Sequence, residues 1–144
     1  MNRILTVYLD TCCYSRLFDG KKSLTITAEA ARIRYIIRNR RTSNYRIIGS
    51  LAVVTEISQN PKKNRKYIER LYNIVKSGEA QISAQSAKRA AELETIGLKP
   101  MDARHLAAAE AARADYLLTV DKDFLRICSK SNITAVKVIN PIDF

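Results

Sequence analysis

The sequence predicts an α/β domain whose mainly parallel central sheet is covered by helices on both faces, and three observations carry that prediction. Short apolar runs of strand length alternate with longer stretches of helical periodicity, the order that builds strand–helix–strand crossovers. The runs ILTVYL and YLLTV are continuously apolar rather than alternating, as strands buried on both faces are. At 144 residues with 47% hydrophobic side chains, the chain can bury one core of ordinary size. One domain over residues 1–144 is therefore expected, and wholesale disorder is excluded.

Residues 4–9 are the first predicted strand, ended by Asp10 and Thr11. Residues 24–39 carry Ile26, Ala30, Ile33 and Ile37 at helical spacing with Arg32, Arg34 and Arg38 among them, an amphipathic helix with a basic face. Residues 46–49 read as a second strand, and Ser50 as the N-cap of a helix over 51–58 that ends near Asn60 and Pro61. From Lys62 the positions Tyr67, Ile68, Leu71, Tyr72 and Val75 predict another helix, stopped at Ser77 and Gly78. Residues 80–83 form a short strand. Residues 86–95 form an Ala-rich helix ended by Gly97, and Pro100 opens a further helix over 101–112. A strand over 116–120, a short helix over 124–128 and a last strand over 135–139 complete the chain. With only four Gly and three Pro, nothing resembles a linker. Strand order is not legible from periodicity.

Charge points to the partner. Lys and Arg number 25 against 14 Asp and Glu, a formal net charge of +11. Such an excess favours polyanions, nucleic acid above all, although a solubilising surface or an acidic protein partner would also account for it. No apolar run approaches the ~18 residues of a membrane-spanning helix. The N-terminal run is cut short by Asp10 with no small-residue cleavage site after it. Three cysteines, two of them adjacent, do not suit a disulfide framework. A soluble cytoplasmic protein with no membrane partner is expected. One histidine and no paired C-x-x-C exclude a structural zinc site, and the lack of a P-loop or G-x-G-x-x-G leaves nucleotide cofactors unsupported.

The acids give the site. Asp10 and Asp121 each end an apolar strand-like run. Ligands of open α/β sheets bind beyond the carboxyl ends of the strands, so the two carboxylates meet at one rim if their strands are parallel neighbours. Helix N-capping is the alternative for each. Glu56 lies among Val53, Val54 and Ile57, where burial is costly unless it is paired or bound to a cation; a place on the exposed stripe is the plainer reading. Asp102, in the first turn after Pro100, suits the helix dipole. His105 is read as a packing or hydrogen-bonding residue, and Cys12 and Cys13 as packing residues at a turn.

The strings YLDTCCYSRLF, VTEISQNP, PMDARHLAAAEAA and LLTVDKDFL, in this order, resemble the PIN domain family over residues 5–141. These are metal-dependent ribonucleases, and they include the toxin half of many bacterial and archaeal toxin–antitoxin pairs. The resemblance implies a single PIN-like domain in which Asp10, Glu56, Asp102 and Asp121 are the catalytic and metal-binding acids. Asp123 is a further ligand close by, and Thr11 and Thr119 are supporting hydroxyls. Phosphodiester cleavage needs charge stabilised on the attacking and leaving oxygens, which Mg²⁺ or Mn²⁺ held by carboxylates supplies. The four acids are expected to converge at the carboxyl end of the sheet, across sequence gaps of 46, 46 and 19 residues. Cys12 and Cys13 depart from the family, which commonly has a small or hydroxyl residue after the Asp–Thr pair.

The expected partners are an RNA substrate, an antitoxin protein and a second copy of the chain in a homodimer. Lys62, Lys63, Arg65 and Lys66 are either RNA-phosphate contacts or solvated surface. Tyr35, Tyr45, Tyr67 and Tyr72 are base-stacking candidates whose spacing also suits packing. A catalytically silent PIN-like module that binds RNA or protein is the second function class, separated from the first by whether the chain cleaves RNA with and without EDTA.

Overall fold

The structure, a computed structural model, describes residues 3–20, 23–60, 63–130 and 132–144. It contains β1 (Leu5–Leu9), α1 (Thr11–Arg16), α2 (Leu24–Arg38), β2 (Tyr45–Ser50), α3 (Leu51–Gln59), α4 (Arg65–Val75) and β3 (Glu79–Ala80). The chain continues through α5 (Ala84–Ile96), α6 (Pro100–Ala111), β4 (Tyr116–Leu118), α7 (Lys122–Ser129), β5 (Lys137–Ile139) and a 3-10 turn over Pro141–Asp143. The five strands form one sheet in the order β3-β2-β1-β4-β5, and every pairing is parallel.

The chain builds outward from β1 to β2 to β3, then returns across the sheet to β4 on the other side of β1. Right-handed crossovers put helices before and after this reversal on opposite faces. The central strands are therefore covered twice: Val7, Tyr8, Leu9, Leu117 and Leu118 are wholly buried, which is why they read as unbroken apolar runs. The reversal also opens a crevice between the carboxyl ends of β1 and β4, the usual ligand position in such sheets. The register pairs Leu9 with Leu118, and the Asp10 amide donates to the Leu118 carbonyl at 3.0 Å. Asp10 and Thr119 thus leave the sheet side by side.

Local chemistry sets the element ends. Ser23, Ser50 and Ser83 each cap a helix through the side-chain oxygen, and Gly97 closes α5 at φ 120°, where a side chain would be strained. Gly49 admits Tyr72: a Cβ there would lie 2.1 Å from the Tyr72 hydroxyl, which donates to Glu79 at 2.5 Å and lies 3.3 Å from the Ser50 carbonyl.

Several boundaries differ from the sequence expectation. Cys12 and Cys13 lie inside α1 rather than at a turn, since six residues are too few to display a period. α4 begins at Arg65, while Pro61 and Lys62 lie outside the described residues. β3 is Glu79–Ala80 rather than 80–83. β4 stops at Leu118 rather than 120 because side chains take over the next amides: Val120 N–H donates to Cys12 Sγ and Asp121 N–H to Thr119 Oγ1. β5 starts at Lys137 rather than 135, since the Val136 amide is held by Thr134 Oγ1.

Candidate metal centre

Asp10 sits at the N-cap position of α1, yet its side chain caps nothing. Its Oδ2 accepts from Thr119 Oγ1 at 2.7 Å and from Cys12 Sγ at 3.2 Å, and its Oδ1 lies 3.3 Å from His105 Nε2. The capping alternative therefore fails for this residue, and the carboxylate is aimed along the rim. Cys12 stays a protonated donor, because its hydrogen bond with Cys13, its burial and the Asp10 charge all push its pKa up. Cys12 thus stands beside Asp10 and Thr119 as a neutral donor.

His105 follows Asp102 by three residues on α6 and is fully buried. Its Nε2 is 2.8 Å from Glu56 Oε1, and its Nδ1 is 2.7 Å from the Tyr8 hydroxyl, which lies 2.6 Å from Ser50 Oγ. Burial alone would lower the His105 pKa, but the charges of Asp10, Glu56 and Asp102 and the Glu56 hydrogen bond outweigh it and raise it. Protonated, the ring donates from Nδ1 to Tyr8 and from Nε2 to Glu56, an assignment that follows from its partners. Burial opposes ionisation of Glu56, but the bond to His105, the His105 charge and Thr11 together bring its pKa below the ordinary carboxylate value. Glu56 thus lies at the edge of the buried stripe formed by Ala52, Val53 and Ile57, not on the open face of α3.

Asp102 behaves differently. Its residue is 9% exposed, and among the described residues it has no hydrogen bond or ion pair. Burial, then the charges of Asp10 and Asp121, with a smaller push from Glu56 and partial relief from His105, raise its pKa to about 7. A place near a helix N-terminus would have done the opposite, so burial first and the neighbouring carboxylates second outweigh it. Asp121 does act as a cap: its Oδ1 accepts from the amides of Asp123 at 2.9 Å and Phe124 at 3.2 Å. Capping and proximity to Asp102 coexist, because the cap occupies one oxygen. Asp123 is exposed and turned to Arg126 Nη2 at 3.4 Å.

The chemistry of this donor set fits a divalent cation. Asp10, Glu56 and His105 each offer one ligand atom, and all three atoms lie within 4.8 Å of one another. Hard cations prefer oxygen; the Asp10 and Glu56 carboxylates offer it, with His105 Nε2 against both. The uncompensated charge of Asp102 is the feature that a cation would relieve.

The basic candidates belong to α4 and to α2 with the turn after it. Lys63, Arg65 and Lys66 are exposed at the start of α4, with Arg65 donating to the Ser58 carbonyl at 3.2 Å; Lys62 is outside the described residues. Arg34, Arg38 and Arg41 are exposed, whereas Arg40 is bound to the Ile37 carbonyl at 2.7 Å. Tyr45 and Tyr72 are buried packing residues, and Tyr35 and Tyr67 are exposed. Sequence reasoning missed the bracing of the acids by Tyr8, Ser50 and Cys12. It gave His105 a hydrogen-bonding part without naming the acids it joins. The D-x-x-H spacing was the available signal; Tyr8, inside an apolar strand, gave none.

The profile of the PIN domain family matches residues 7–130. In fold the chain is similar to the crystal structure of FitAcB from Neisseria gonorrhoeae, with a TM-score of 0.57 and 13% identity over 96% of this chain and 99% of that one. No curated protein sequence matches this chain. Among the described residues no helix is long and apolar enough to cross a membrane.

Proposed function

This chain belongs to the PIN domain family, and from that premise we propose that it is a divalent-cation-dependent endoribonuclease and the toxin of a toxin–antitoxin pair. The observation that carries the reading is Asp102, a buried carboxylate with its pKa raised to about 7 by burial and by the other acids of one rim. A fold that leaves such a charge unpaired in a chain of net charge +11 has a use for an added cation.

Asp10, Glu56 and Asp102 would hold Mg²⁺ or Mn²⁺, with Asp121 beside them. When bound, the ion would neutralise the acids, lower the pKa of water and stabilise charge on the phosphate oxygens. The chain's own residues fix the geometry. Thr119 and Cys12 orient the Asp10 carboxylate; Tyr8 orients His105; His105 and Thr11 hold the Glu56 carboxylate. The lysines and arginines concentrate RNA near the rim. Exposed arginines on and after α2 suit an acidic antitoxin surface.

Purified protein is expected to cut single-stranded or loop RNA with millimolar Mg²⁺ or Mn²⁺ and to stop in EDTA. RNA that is bound but uncut under both conditions would favour the silent binding module.

A further inference from the structure

Resting on the ribonuclease reading, we propose that Tyr67, propped on Phe18, is a stacking platform for an unpaired base of the RNA strand entering the acid pocket. A cleft of about 300 Å³ is lined by Thr11, Cys12 and Glu56 together with Arg16, Asp19 and Asn60. Phe18 lies in the turn after α1, in sequence between Arg16 and Asp19 of that lining. The Asn64 amide reaches the Phe18 carbonyl at 3.5 Å, tying this turn to the start of α4. There the Tyr67 ring stacks on Phe18 with centroids 6.3 Å apart and planes 24° apart.

Tyr67 is 60% exposed. The ring stacks on Phe18 and still keeps most of its surface in solvent. The other exposed tyrosine, Tyr35, is already covered by the Arg32 guanidinium at 5.0 Å, and Lys76 and Lys137 lie over Tyr72 and Tyr116. Among the described residues no cation covers Tyr67, although Lys63, Lys66 and Arg70 are all exposed nearby. An exposed aromatic ring with basic residues close in sequence, stacked on a turn whose Arg16 and Asp19 line the cleft that also holds Glu56, matches how single strands are held. Bases stack on the ring while the cations follow the phosphates. A duplex keeps its bases stacked inside and presents no free face.

The chain has no tryptophan, so Tyr67→Trp introduces a single fluorescent reporter. A short single-stranded uridine RNA, added in EDTA so that nothing is cut, is expected to quench the emission of the introduced indole, and a duplex of equal length to leave it unchanged. Tyr67→Ala should bind the single strand about tenfold more weakly, with Tyr67→Phe near wild type. Under cleavage conditions, Tyr67→Ala should raise KM by more than it lowers kcat. Indole emission that stays constant while labelled RNA is bound, or full affinity in Tyr67→Ala, overturns the platform and leaves the nuclease reading standing. Emission that responds to protein concentration and not to RNA assigns the face to a second copy of the chain and also overturns it. If wild type neither binds nor cuts RNA, both readings fall together.

Discussion

Each end of the sheet carries carboxylates, and the fold treats the two ends in opposite ways. At the amino end Asp115, just before β4, accepts from the Thr6 amide at 2.8 Å and pairs with Arg3. The Thr6 hydrogen bond first, and then Arg3, hold its pKa below the ordinary carboxylate value. At the carboxyl end Asp102 meets other acids instead of an arginine, and its pKa rises to about 7. The only cationic partner of the rim among the described residues is His105, shared by Asp10 and Glu56. Among the described residues an arginine pairs with the structural carboxylate at one end, and no lysine or arginine forms an ion pair with Asp10, Glu56, Asp102 or Asp121 at the other. At the amino end the carboxylate has its partners; at the carboxyl end burial and the charges of Asp10 and Asp121 act together against the ionised form of Asp102.

The largest effect should come from breaking the second end alone. Asp10→Asn keeps the size of the side chain but removes a charge and an acceptor held by Thr119, and cleavage of single-stranded RNA should fall by more than about 100-fold, beyond what removal of a residue that merely supports a ligand costs. Asp115→Asn in parallel should leave the cleavage rate unchanged. If the two variants lose activity equally, the contrast between the ends has no functional meaning.

Removing the support should cost less than removing the acid. Tyr8→Phe deletes the hydroxyl that orients His105 and leaves the aromatic packing, so activity should drop by about 10–100-fold, with the overall secondary structure by circular dichroism unchanged. A wild-type rate would show that His105 needs no brace.

The smallest expected effect is on stability at the amino end. Asp115→Asn should destabilise by about 1 kcal/mol in a denaturant titration, discounted because Arg3 is largely exposed. The pH dependences of the two ends run in opposite directions. The depressed Asp115 pKa means that its contribution is present above the unfolded value near 4 and is lost as pH falls through the folded value. The raised Asp102 pKa means that the metal-free native state binds the extra proton, so stability falls as pH rises from about 4 to about 7.

The sequence made the double-sided sheet legible because the central strands are buried on both faces and therefore apolar throughout. It also exposed the two strand-end acids, since each interrupts such a run. Short elements are harder to read: the sequence of α1, six residues long, suggests a turn, and that of the two-residue β3 suggests a strand over 80–83 rather than Glu79–Ala80. The partners that orient the acids escaped for a different reason. Tyr8 and Ser50 look like a core aromatic and a helix cap, which they are, and their second part depends on contacts between residues 42 and 97 positions apart. The two aspartates at strand ends show how one pattern can hide two outcomes: Asp121 caps a helix with its side chain, and Asp10 does not.

Thermal unfolding of wild type against Asp102→Asn tests most directly whether the carboxyl-end acids form an uncompensated cation site. Both proteins are melted at about pH 8, once in EDTA and once in millimolar Mg²⁺ or Mn²⁺. In EDTA the variant should be the more stable, its Tm higher by about 2–4 °C for each kcal/mol of repulsion relieved. Metal should raise the wild-type Tm and raise that of the variant by less. A variant that melts below wild type in EDTA, with metal shifting both proteins equally or neither, would contradict the cation site.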